Sequence, residues 1–298
     1  MPCIACNSND SELMFENISD LEYETYKPVN YFKCKNCNLI FQNPVPDTKI
    51  LSSFYPSEYR NFLPEGKSIF SFLKDIQFLM LASKISKHLE KNSKILEIGY
   101  GNGQLLSTIQ KKGYKNLYGT DFTDENSEVL LKKRIKVATS NIEERFPFNE
   151  SFDVIIMNNV IEHFSNPKKV LKICKEHLSE NGKIILITPN STAFELKIFK
   201  KHWAGFHAPR HTFIFNRQNI KELATNLGFK DVSFEPVSDP GQWSISIQNI
   251  LQNKKLTKVK LKNGMAWYLM PLSLLFAPVS TVQNFTDRST GMMCVLYS

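Results

Sequence analysis

Short apolar runs and helix-spaced apolar positions alternate along the middle of the chain. Four runs are typical of buried strands, at residues 94–99, 116–121, 152–157 and 183–188. Apolar residues at helical spacing lie between them, over 104–112 and 167–178. This alternation predicts a doubly wound, mostly parallel sheet with helices on both faces. A helix over 216–227 and two late strands, 231–237 and 292–297, complete the pattern.

The segments outside this alternation predict smaller units. Residues 1–45 show little helical pattern, whereas apolar residues at helical spacing recur over 48–62 and 68–89. Between these two parts, the prolines of residues 43–47 indicate an extended connector. About fifty residues separate the two late strands, which is too long for a hairpin loop. We therefore expect a helical insertion over residues 238–290.

The first predicted strand leads into a loop with three closely spaced glycines. Gly99 and Gly101 let the backbone approach a ligand, and Gly103 permits tight packing of the following helix. Glu97, two positions before the loop, would repel a pyrophosphate and attract the amino and sulfonium groups of S-adenosylmethionine (SAM). Asp121 ends the next strand, where a carboxylate accepts hydrogen bonds from both ribose hydroxyls. The pattern predicts a SAM site at this edge of the sheet.

Three spaced segments carry a family resemblance: residues 95–103, 143–153 and 158–167. Through them, residues 93–190 resemble the class I SAM-dependent methyltransferases, in the branch that includes ubiquinone-biosynthesis enzymes and the type 11 and type 23 methyltransferase domains. The resemblance implies a Rossmann-like sheet of seven strands and transfer of a methyl group from SAM. It also implies that Asn141 lies beside the adenine and that Asn158, directly after the predicted strand 152–157, faces cofactor and substrate.

Glu162 and His163 match a Glu-His pair of the same family. In the ubiquinone O-methylation enzymes an earlier glutamate joins this pair in binding a divalent metal. This chain has Asn159 at that position, so the resemblance does not carry the full set of metal ligands over. Because an ordinary histidine titrates near neutral pH, His163 is a candidate general base. The alternative is a helix-start histidine that holds the loop in place.

Four of the six cysteines form two short pairs, Cys3 with Cys6 and Cys34 with Cys37. Two CxxC pairs supply four thiolates, which suits a tetrahedral, closed structural zinc site. A redox dithiol needs only one pair, and catalytic zinc needs an open position that four cysteines do not leave. Residues 1–45 are therefore expected to fold as a zinc ribbon that depends on its metal.

The sequence after the second cysteine pair, together with residues 55–59, resembles a bacterial group of methyltransferases headed by a zinc ribbon. Many of these are associated with sugar, surface-glycan or secondary-metabolite pathways. One interpretation of the ribbon is nucleic-acid binding, and the other is that it covers the cofactor pocket or helps to recognise the acceptor. Few basic residues lie around the cysteine pairs, which favours the second interpretation.

Three of the six histidines fall within segment 202–211, which follows the last of the four central strands. A similar segment occurs in the glycan-associated relatives, and ligands of doubly wound folds bind at the carboxyl edge of the sheet. Methyl transfer to a hydroxyl needs orientation and removal of the proton, so His207 and His211 are candidate bases. Arg210 would bind a phosphate or carboxylate of the acceptor, and Trp203 would contact it. The alternatives are a zinc site or a hydrogen-bonded structural corner.

A formal charge of +8 over 298 residues suits anionic partners without selecting one. Basic residues over 254–262 precede an apolar run over 265–279. This run is shorter than the ~20 residues that span a bilayer, so no transmembrane segment is predicted. Peripheral contact with an anionic membrane through residues 254–279 would suit a lipid-linked sugar acceptor. The favoured alternative is a helical cap over the active site with a solvated lysine face.

The N-terminus lacks a basic region followed by an apolar run, so we expect a cytoplasmic protein, with any membrane contact at the inner face. The expected units are a zinc-ribbon module (1–45), a helical linker or lid (46–92), a SAM-binding methyltransferase core (93–237), a helical insertion or cap (238–290) and a final core strand (291–298). We expect O-methylation of a sugar-containing, surface-glycan-related or other small-metabolite acceptor, and no nucleic-acid partner. The alternatives are an RNA or DNA methyltransferase with a zinc-ribbon reader, and a non-catalytic SAM-binding scaffold.

Overall fold

The computed structural model describes residues 2–21, 27–55, 69–257 and 268–298. The strands of this part, in chain order, are β1 (Ser11–Ile18), β2 (Val29–Cys34), β3 (Ile40–Gln42), β4 (Ile95–Ile98), β5 (Leu117–Asp121), β6 (Lys136–Thr139), β7 (Phe152–Asn158), β8 (Leu178–Pro189), β9 (Phe213–Ile214), β10 (Asp231–Val237) and β11 (Gly291–Tyr297). The helices are α1 (Thr48–Ser53), α2 (Ile69–Ser86), α3 (Gln104–Lys111), α4 (Ser127–Lys132), α5 (Pro167–Glu176), α6 (Phe194–Phe199), α7 (Arg217–Asn226), α8 (Gly241–Asn253) and α9 (Leu269–Gln283).

The central sheet has seven strands in the order β10-β11-β8-β7-β4-β5-β6. The five strands from β6 to β8 in this order run parallel, while β11 pairs antiparallel with both β8 and β10. This confirms the predicted Rossmann-like, mostly parallel sheet. Because β4 lies between β5 and β7, the carboxyl ends of these three strands meet at one edge, where ligands of doubly wound folds bind.

Successive residues of β7 face opposite sides of this sheet, as the pleat of a strand requires. Val154 packs in one hydrophobic core with residues of α2 and α3, whereas Ile155 packs in a second core with residues of α5 and α7. Both residues are buried because helices cover both faces of the sheet. This double cover explains why the central strands consist of continuous apolar runs.

A second, four-stranded sheet has the order β1-β2-β3-β9. Its last strand comes from the segment that follows α6, with Ile40 paired to Ile214 and Phe41 to Phe213. The cysteine-rich residues 1–45, which the sequence suggested as a unit of their own, are thus hydrogen-bonded to a segment some 170 residues later in the chain. Local patterns carry no signal for such a long-range strand pairing.

Several predicted elements differ in length from those of the structure, and one strand was not predicted. The helix expected over 48–62 is α1, which ends at Ser53, and residues 56–68 lie outside the described part of the chain. The strand expected over 183–188 is longer in the structure, because β8 begins at Leu178. The preceding helix α5 ends at Glu176, two residues before the predicted end at residue 178. The edge strand β6 was not predicted, since its four residues are half exposed and lack a continuous apolar run.

Helices α8 and α9 form the expected helical insertion between β10 and β11. They pack through Trp243 and Phe276, whose rings stack at 4.8 Å between centroids. Residues 258–267 lie outside the described part of the chain, so the basic stretch 254–262 and the start of the apolar run are described only in part. Among the helices that are described, none has the length and apolar composition needed to cross a membrane.

Candidate active site

The loop between β4 and α3 has left-handed backbone at each of its three glycines. The φ angle is +72° at Gly99, +52° at Gly101 and +71° at Gly103, a region that residues with a Cβ rarely adopt. A Cβ on Gly99 would lie 2.5 Å from Val160 Cγ2, and one on Gly103 would lie 2.5 Å from Leu130 Cδ2. Glycine is therefore required here for both conformation and packing.

Two carboxylates are buried beside this loop. Glu97 on β4 is 2% exposed and Asp121 at the end of β5 is 5% exposed. The Gly101 N–H donates to Asp121 Oδ2 at 2.9 Å, whereas Glu97 Oε2 has no hydrogen-bond partner in the described part of the chain. Burial, and then the negative charge of Asp121, raise the pKa of Glu97 well above its usual range. Burial also raises the pKa of Asp121 to about 6.

This pair fits a ligand that carries both a positive charge and hydroxyl groups. A buried carboxylate oxygen without a donor or a counter-ion is unfavourable, so the site favours a ligand that supplies one. The cationic amino acid end of SAM suits Glu97, and the ribose hydroxyls suit Asp121. The residues present therefore fit the cofactor that the sequence predicts.

The two asparagines predicted to contact the cofactor lie at the same edge of the sheet. Asn141 follows β6, where its Oδ1 accepts from the Glu143 N–H at 3.1 Å and its amide donates to Glu144 at 3.1 Å. Asn158 ends β7, and its Oδ1 accepts from the amide of Asn159 at 3.3 Å. Both residues follow strands of the sheet that carries the glycine loop, and their contacts with adenine and substrate stay predictions.

Three imidazoles from two distant segments meet beyond the end of β7. His163 lies in a 3-10 turn, Ile161–His163, and the other two come from the segment after α6. The ring centroid of His211 lies 4.5 Å from that of His163 and 5.0 Å from that of His207. A nitrogen of each ring lies within 4.8 Å of a nitrogen of the other two. The structure thus unites all three candidate bases in one cluster, which we call the histidine cluster.

Tyr55 joins the histidine cluster to the cofactor side of the edge. Its hydroxyl lies 2.7 Å from His163 Nδ1, and its ring packs against Phe122, the residue after Asp121, at 5.2 Å between centroids. Burial raises the pKa of the Tyr55 phenol above its usual range. Sequence reasoning did not place Tyr55 in the site, although the family resemblance of residues 55–59 marked its position. The rest of that motif lies outside the described residues.

The sequence of residues 73–233, just over half of the chain, matches the family described as methyltransferase domain. The chain is a class I SAM-dependent methyltransferase. This membership agrees with the seven-stranded sheet, the glycine loop and the two buried carboxylates. The predicted family and the SAM cofactor are therefore both supported.

Three relatives place the methyltransferase among known proteins. An uncharacterised protein of Methanocaldococcus jannaschii is 28% identical over 214 residues, which cover 70% of this chain and 90% of that protein. The ubiquinone biosynthesis O-methyltransferase of Rickettsia canadensis is 26% identical over 199 residues, covering 62% and 84%. A phosphoethanolamine N-methyltransferase of Haemonchus contortus, solved with S-adenosylhomocysteine, shares the fold at 17% identity and a TM-score of 0.50, covering 74% of this chain and 51% of that one.

Glu162 lies directly behind the histidine cluster of the methyltransferase and is fully buried. Its Oε2 accepts from the Thr188 hydroxyl at 3.0 Å, while Oε1 lies 3.9 Å from His211 Nε2. Burial raises the pKa of Glu162 to about 8. Burial also lowers the pKa of His163 to about 3 and that of His211 well below its usual range. Both rings are therefore neutral near pH 7, with one nitrogen lone pair each to offer.

Trp203 and Arg210, predicted to contact the acceptor, are both inside the protein. Trp203 is 1% exposed and packs edge-on against Phe206 at 5.5 Å between centroids. Arg210 is fully buried, and its guanidinium pairs with Asp20 at 3.2 Å. In this structure both side chains stabilise the segment that carries His207 and His211. Their contact with an acceptor stays a prediction.

The N-terminal sheet supports the same segment through further hydrogen bonds from Tyr31 and Gln42. The Tyr31 hydroxyl donates to the His211 carbonyl oxygen at 2.7 Å. The Gln42 amide donates to the carbonyl oxygens of Pro209 and His211, at 2.7 and 3.0 Å. The cysteine-rich part of the chain therefore positions the backbone that presents two of the three histidines.

The four paired cysteines converge as predicted from their spacing. The Sγ atoms of Cys3 and Cys37 lie 3.5 Å apart, and those of Cys6 and Cys34 lie 3.6 Å apart. Tetrahedral zinc with Zn–S bonds of ~2.3 Å would place thiolates about 3.8 Å apart, close to these separations. All four Sγ atoms lie within 4.8 Å of one another. The donor set therefore fits a closed structural zinc site, and the identity of the metal stays a prediction.

Proposed function

We propose that this methyltransferase transfers the methyl group of SAM to a hydroxyl oxygen of a small-molecule acceptor. The observation that carries the proposal is the juxtaposition at one sheet edge of the carboxylate pair, Glu97 and Asp121, with the histidine cluster. Tyr55 contacts both sides of this edge through His163 and Phe122. One side has the chemistry to hold a cationic nucleoside, and the other has the chemistry to accept a proton.

The reaction is an in-line displacement at the methyl carbon. SAM, when bound, supplies an electrophilic methyl on a sulfonium. The acceptor oxygen forms a bond to that carbon while the carbon–sulfur bond breaks, and the hydroxyl proton leaves to a base. On the protein side, Glu97, Asp121 and the glycine loop orient the nucleoside, and Asn141 and Asn158 line the same edge. Most of the rate enhancement is expected from this orientation.

We assign the proton acceptor to the histidine cluster. The Gly205 carbonyl oxygen, 2.8 Å from His211 Nδ1, can only accept a hydrogen bond, so Nδ1 carries the proton and Nε2 is the free lone pair. His163 has the Arg210 carbonyl oxygen 3.2 Å from its own Nδ1. Two of the three rings therefore have a nitrogen lone pair fixed by the backbone, as a base requires.

Two classes of hydroxyl acceptor suit this site. The relatives named for ubiquinone biosynthesis favour an aromatic hydroxyl of a quinone precursor. The resemblance of segment 202–211 to glycan-associated enzymes favours a sugar hydroxyl, free or lipid-linked. Exposed apolar side chains on α9, such as Leu275 at 67% and Val282 at 64%, would suit peripheral contact with a membrane that holds a lipid-linked acceptor.

The proposal includes a structural zinc ion on Cys3, Cys6, Cys34 and Cys37. Its support is the closed set of four thiols and their tetrahedral spacing. The ion would hold β1, β2 and β3 together, and through β9 it would hold the segment that carries His207 and His211. The expected contribution of this module is thus to acceptor binding rather than to the SAM site.

The test is transfer of labelled methyl from SAM to a panel of acceptors. The panel contains phenolic quinone precursors, nucleotide sugars, lipid-linked sugars and RNA, each with S-adenosylhomocysteine formation as a second readout. We expect turnover with at least one hydroxyl-bearing small molecule and none with RNA. Methylation of RNA alone would contradict the proposal, and so would methylation of a nitrogen or carbon atom in the small molecule that reacts fastest.

A further inference from the structure

Two rings of the histidine cluster, His163 and His211, each have a backbone carbonyl oxygen beside Nδ1. His211 Nδ1 donates to the Gly205 carbonyl oxygen at 2.8 Å. The Arg210 carbonyl oxygen lies 3.2 Å from His163 Nδ1, and the Tyr55 hydroxyl lies 2.7 Å from the same atom. Both rings therefore carry their proton on Nδ1 and have the Nε2 lone pair available. Metal-binding histidines are oriented in this way, with the second N–H donated to a carbonyl or hydroxyl oxygen.

The third ring, His207, is held by an arginine. Arg210 Nε donates to His207 Nε2 at 3.1 Å, and the same guanidinium is paired with Asp20 on its other side. The backbone of His207 is left-handed, with φ of +37°, so its side chain projects from a tight turn. Coordination of an ion through His207 Nε2 would require this nitrogen to exchange the Arg210 hydrogen bond for the ion.

A buried carboxylate oxygen beside the cluster is an independent sign of a cation. Glu162 Oε1 has no hydrogen-bond partner in the described part of the chain and lies 3.9 Å from His211 Nε2. The side chain is fully buried. A buried carboxylate needs a counter-ion or donors for both oxygens, and here only Oε2 has one, from Thr188. An ion on the imidazoles would complete this environment.

We propose that His163, His207 and His211 bind a divalent transition-metal ion, with Glu162 as the adjacent carboxylate. Three imidazole nitrogens favour Zn²⁺, Co²⁺, Ni²⁺ or Fe²⁺ over Mg²⁺, which prefers oxygen ligands. Two of the three ligands come from segment 202–211 and not from the Glu-His motif, and position 159 is an asparagine. The ligand set is therefore this chain's own and differs from that of the ubiquinone O-methylation enzymes.

The role of the ion rests on the proposed function, but its binding does not. An ion at this place would bind the acceptor oxygen and lower the pKa of its hydroxyl, so that the proton would leave to solvent and the oxygen would react as an alkoxide or phenoxide. The three imidazoles would then act as ligands, and the histidine base of the proposed function applies to the site without the ion. Binding is measured with neither SAM nor acceptor present. A failure of the metal proposal thus leaves methyl transfer with a histidine base intact, and a failure to transfer methyl leaves the metal result intact.

The test is a titration with Co²⁺ of the full chain that already holds one equivalent of zinc, which the four thiols bind first. We expect one equivalent of Co²⁺ with ligand-field absorption and without the thiolate-to-metal charge-transfer bands of a cysteine site. His163→Gln, His207→Gln and His211→Gln should each weaken Co²⁺ binding by roughly tenfold or more. His202→Gln is the matched control, because this histidine of the same segment contacts Asn253 instead and should change nothing.

Three outcomes would overturn the proposal. The first is that the zinc-loaded protein binds no Co²⁺. The second is that the bound Co²⁺ shows thiolate charge-transfer bands, and the third is that all three variants bind Co²⁺ with the affinity of the wild type. Circular dichroism and thermal melting of the zinc-loaded protein without Co²⁺ check that each variant folds. If one variant fails this check, the wild-type stoichiometry and spectrum still decide the proposal, because they report the number and type of ligands without any substitution.

Discussion

At the scale of single residues, the proposed cofactor site contains two buried carboxyl groups, Glu97 and Asp121. Burial raises the pKa of each, and the charge of Asp121 raises that of Glu97 further. Main-chain donors hold Asp121 in place: the Gly101 N–H donates to Oδ2 and the Thr123 N–H donates to Oδ1. Removal of one carboxylate should therefore affect SAM more than it affects the fold.

Asp121→Asn should weaken SAM binding by roughly tenfold to a hundredfold, because hydrogen bonds to a charged group contribute about 1.5–3 kcal/mol. In the wild type the pKa of about 6 also makes binding pH-dependent. Below that pH the free protein carries a proton that SAM must displace, so the Kd should rise by up to about tenfold per unit of falling pH. Calorimetry at several pH values measures both effects.

The control for this prediction is Asp124→Asn, which removes an exposed carboxylate three residues further on. It should leave the Kd and its pH dependence near those of the wild type. An Asp121→Asn protein with wild-type affinity, or with an undiminished pH dependence near pH 6, would contradict the role assigned to Asp121.

The glycine loop gives a second prediction at this scale. Gly99→Ala should abolish measurable SAM binding, because a Cβ would meet Val160 at 2.5 Å on a backbone with φ of +72°. Gly113→Ala is the matched control. It has a similar backbone penalty at φ of +95°, but its nearest neighbour is the mobile end of Lys91. Both variants should melt at lower temperature, and only the control should bind SAM. Normal SAM binding by Gly99→Ala would show that the loop between β4 and α3 has room for a Cβ at this position, contrary to the account.

Residues that depend on local sequence were predictable, and those that depend on distant contacts were not. The glycine loop and Asp121 are recognisable because each occupies a fixed position relative to one strand. Tyr55 and Asp20 gave no comparable signal, since their partners His163 and Arg210 lie 108 and 190 residues away. Glu162 and His211 are likewise distant in sequence, and the fold rather than any motif brings them together.

At the scale of elements, the segment that presents His207 and His211 is held from two sides. The N-terminal sheet holds it through β9 and the ion pair between Asp20 and Arg210. The insertion holds it through Ser246 on α8, whose hydroxyl accepts from the Ala204 N–H at 2.9 Å. Motifs that lie far apart in the sequence are thus parts of one support for the segment that carries His207 and His211.

Asp20→Asn should destabilise the protein by about 3–5 kcal/mol, the usual effect of leaving a buried charge without its partner. Both side chains of the Asp20–Arg210 pair are 0% exposed. Asp10→Asn is the matched control, because it breaks the exposed ion pair with Lys35 and should cost less than about 1 kcal/mol. Urea denaturation measures both variants. Equal stability of the two variants would show that the buried pair does not support the segment.

Loss of the metal from the cysteine site should act on the same segment. Cys37→Ser should lower bound zinc and increase amide exchange at β9 and around His211, while SAM binding is retained. Cys174→Ala, which removes a buried cysteine of the central core, should keep its zinc. Elemental analysis and hydrogen exchange provide the readouts. Full zinc content in Cys37→Ser would refute the four-cysteine site.

The elements themselves follow from the sequence to different extents. The predicted strand over 231–237 coincides with β10, and Gly228, which follows α7, has φ of +74° as glycine after a helix commonly does. These features depend on residues that are neighbours in sequence. The pairing of β3 with β9 and the edge position of β6 depend on the tertiary fold, so no local period could reveal them.

At the scale of the whole molecule, elements before and after the central strands both contact segment 202–211, through Asp20 and through Ser246 on α8. In the proposed account, the carboxylate pair forms the cofactor side and the histidine cluster forms the acceptor side. This division predicts that the two sides can be damaged separately: substitutions at the carboxylate pair should change the KM for SAM, and substitutions in the histidine cluster should change kcat.

Steady-state methyl transfer by the wild type, Asp121→Asn and His211→Gln, with the best acceptor of the panel, tests this account most directly. The account predicts that His211→Gln lowers kcat by roughly a hundredfold or more with an unchanged KM for SAM, while Asp121→Asn raises the KM for SAM. Full turnover by His211→Gln would contradict a site divided between carboxylates and histidines. So would changes of kcat and of the KM for SAM that are the same in both variants.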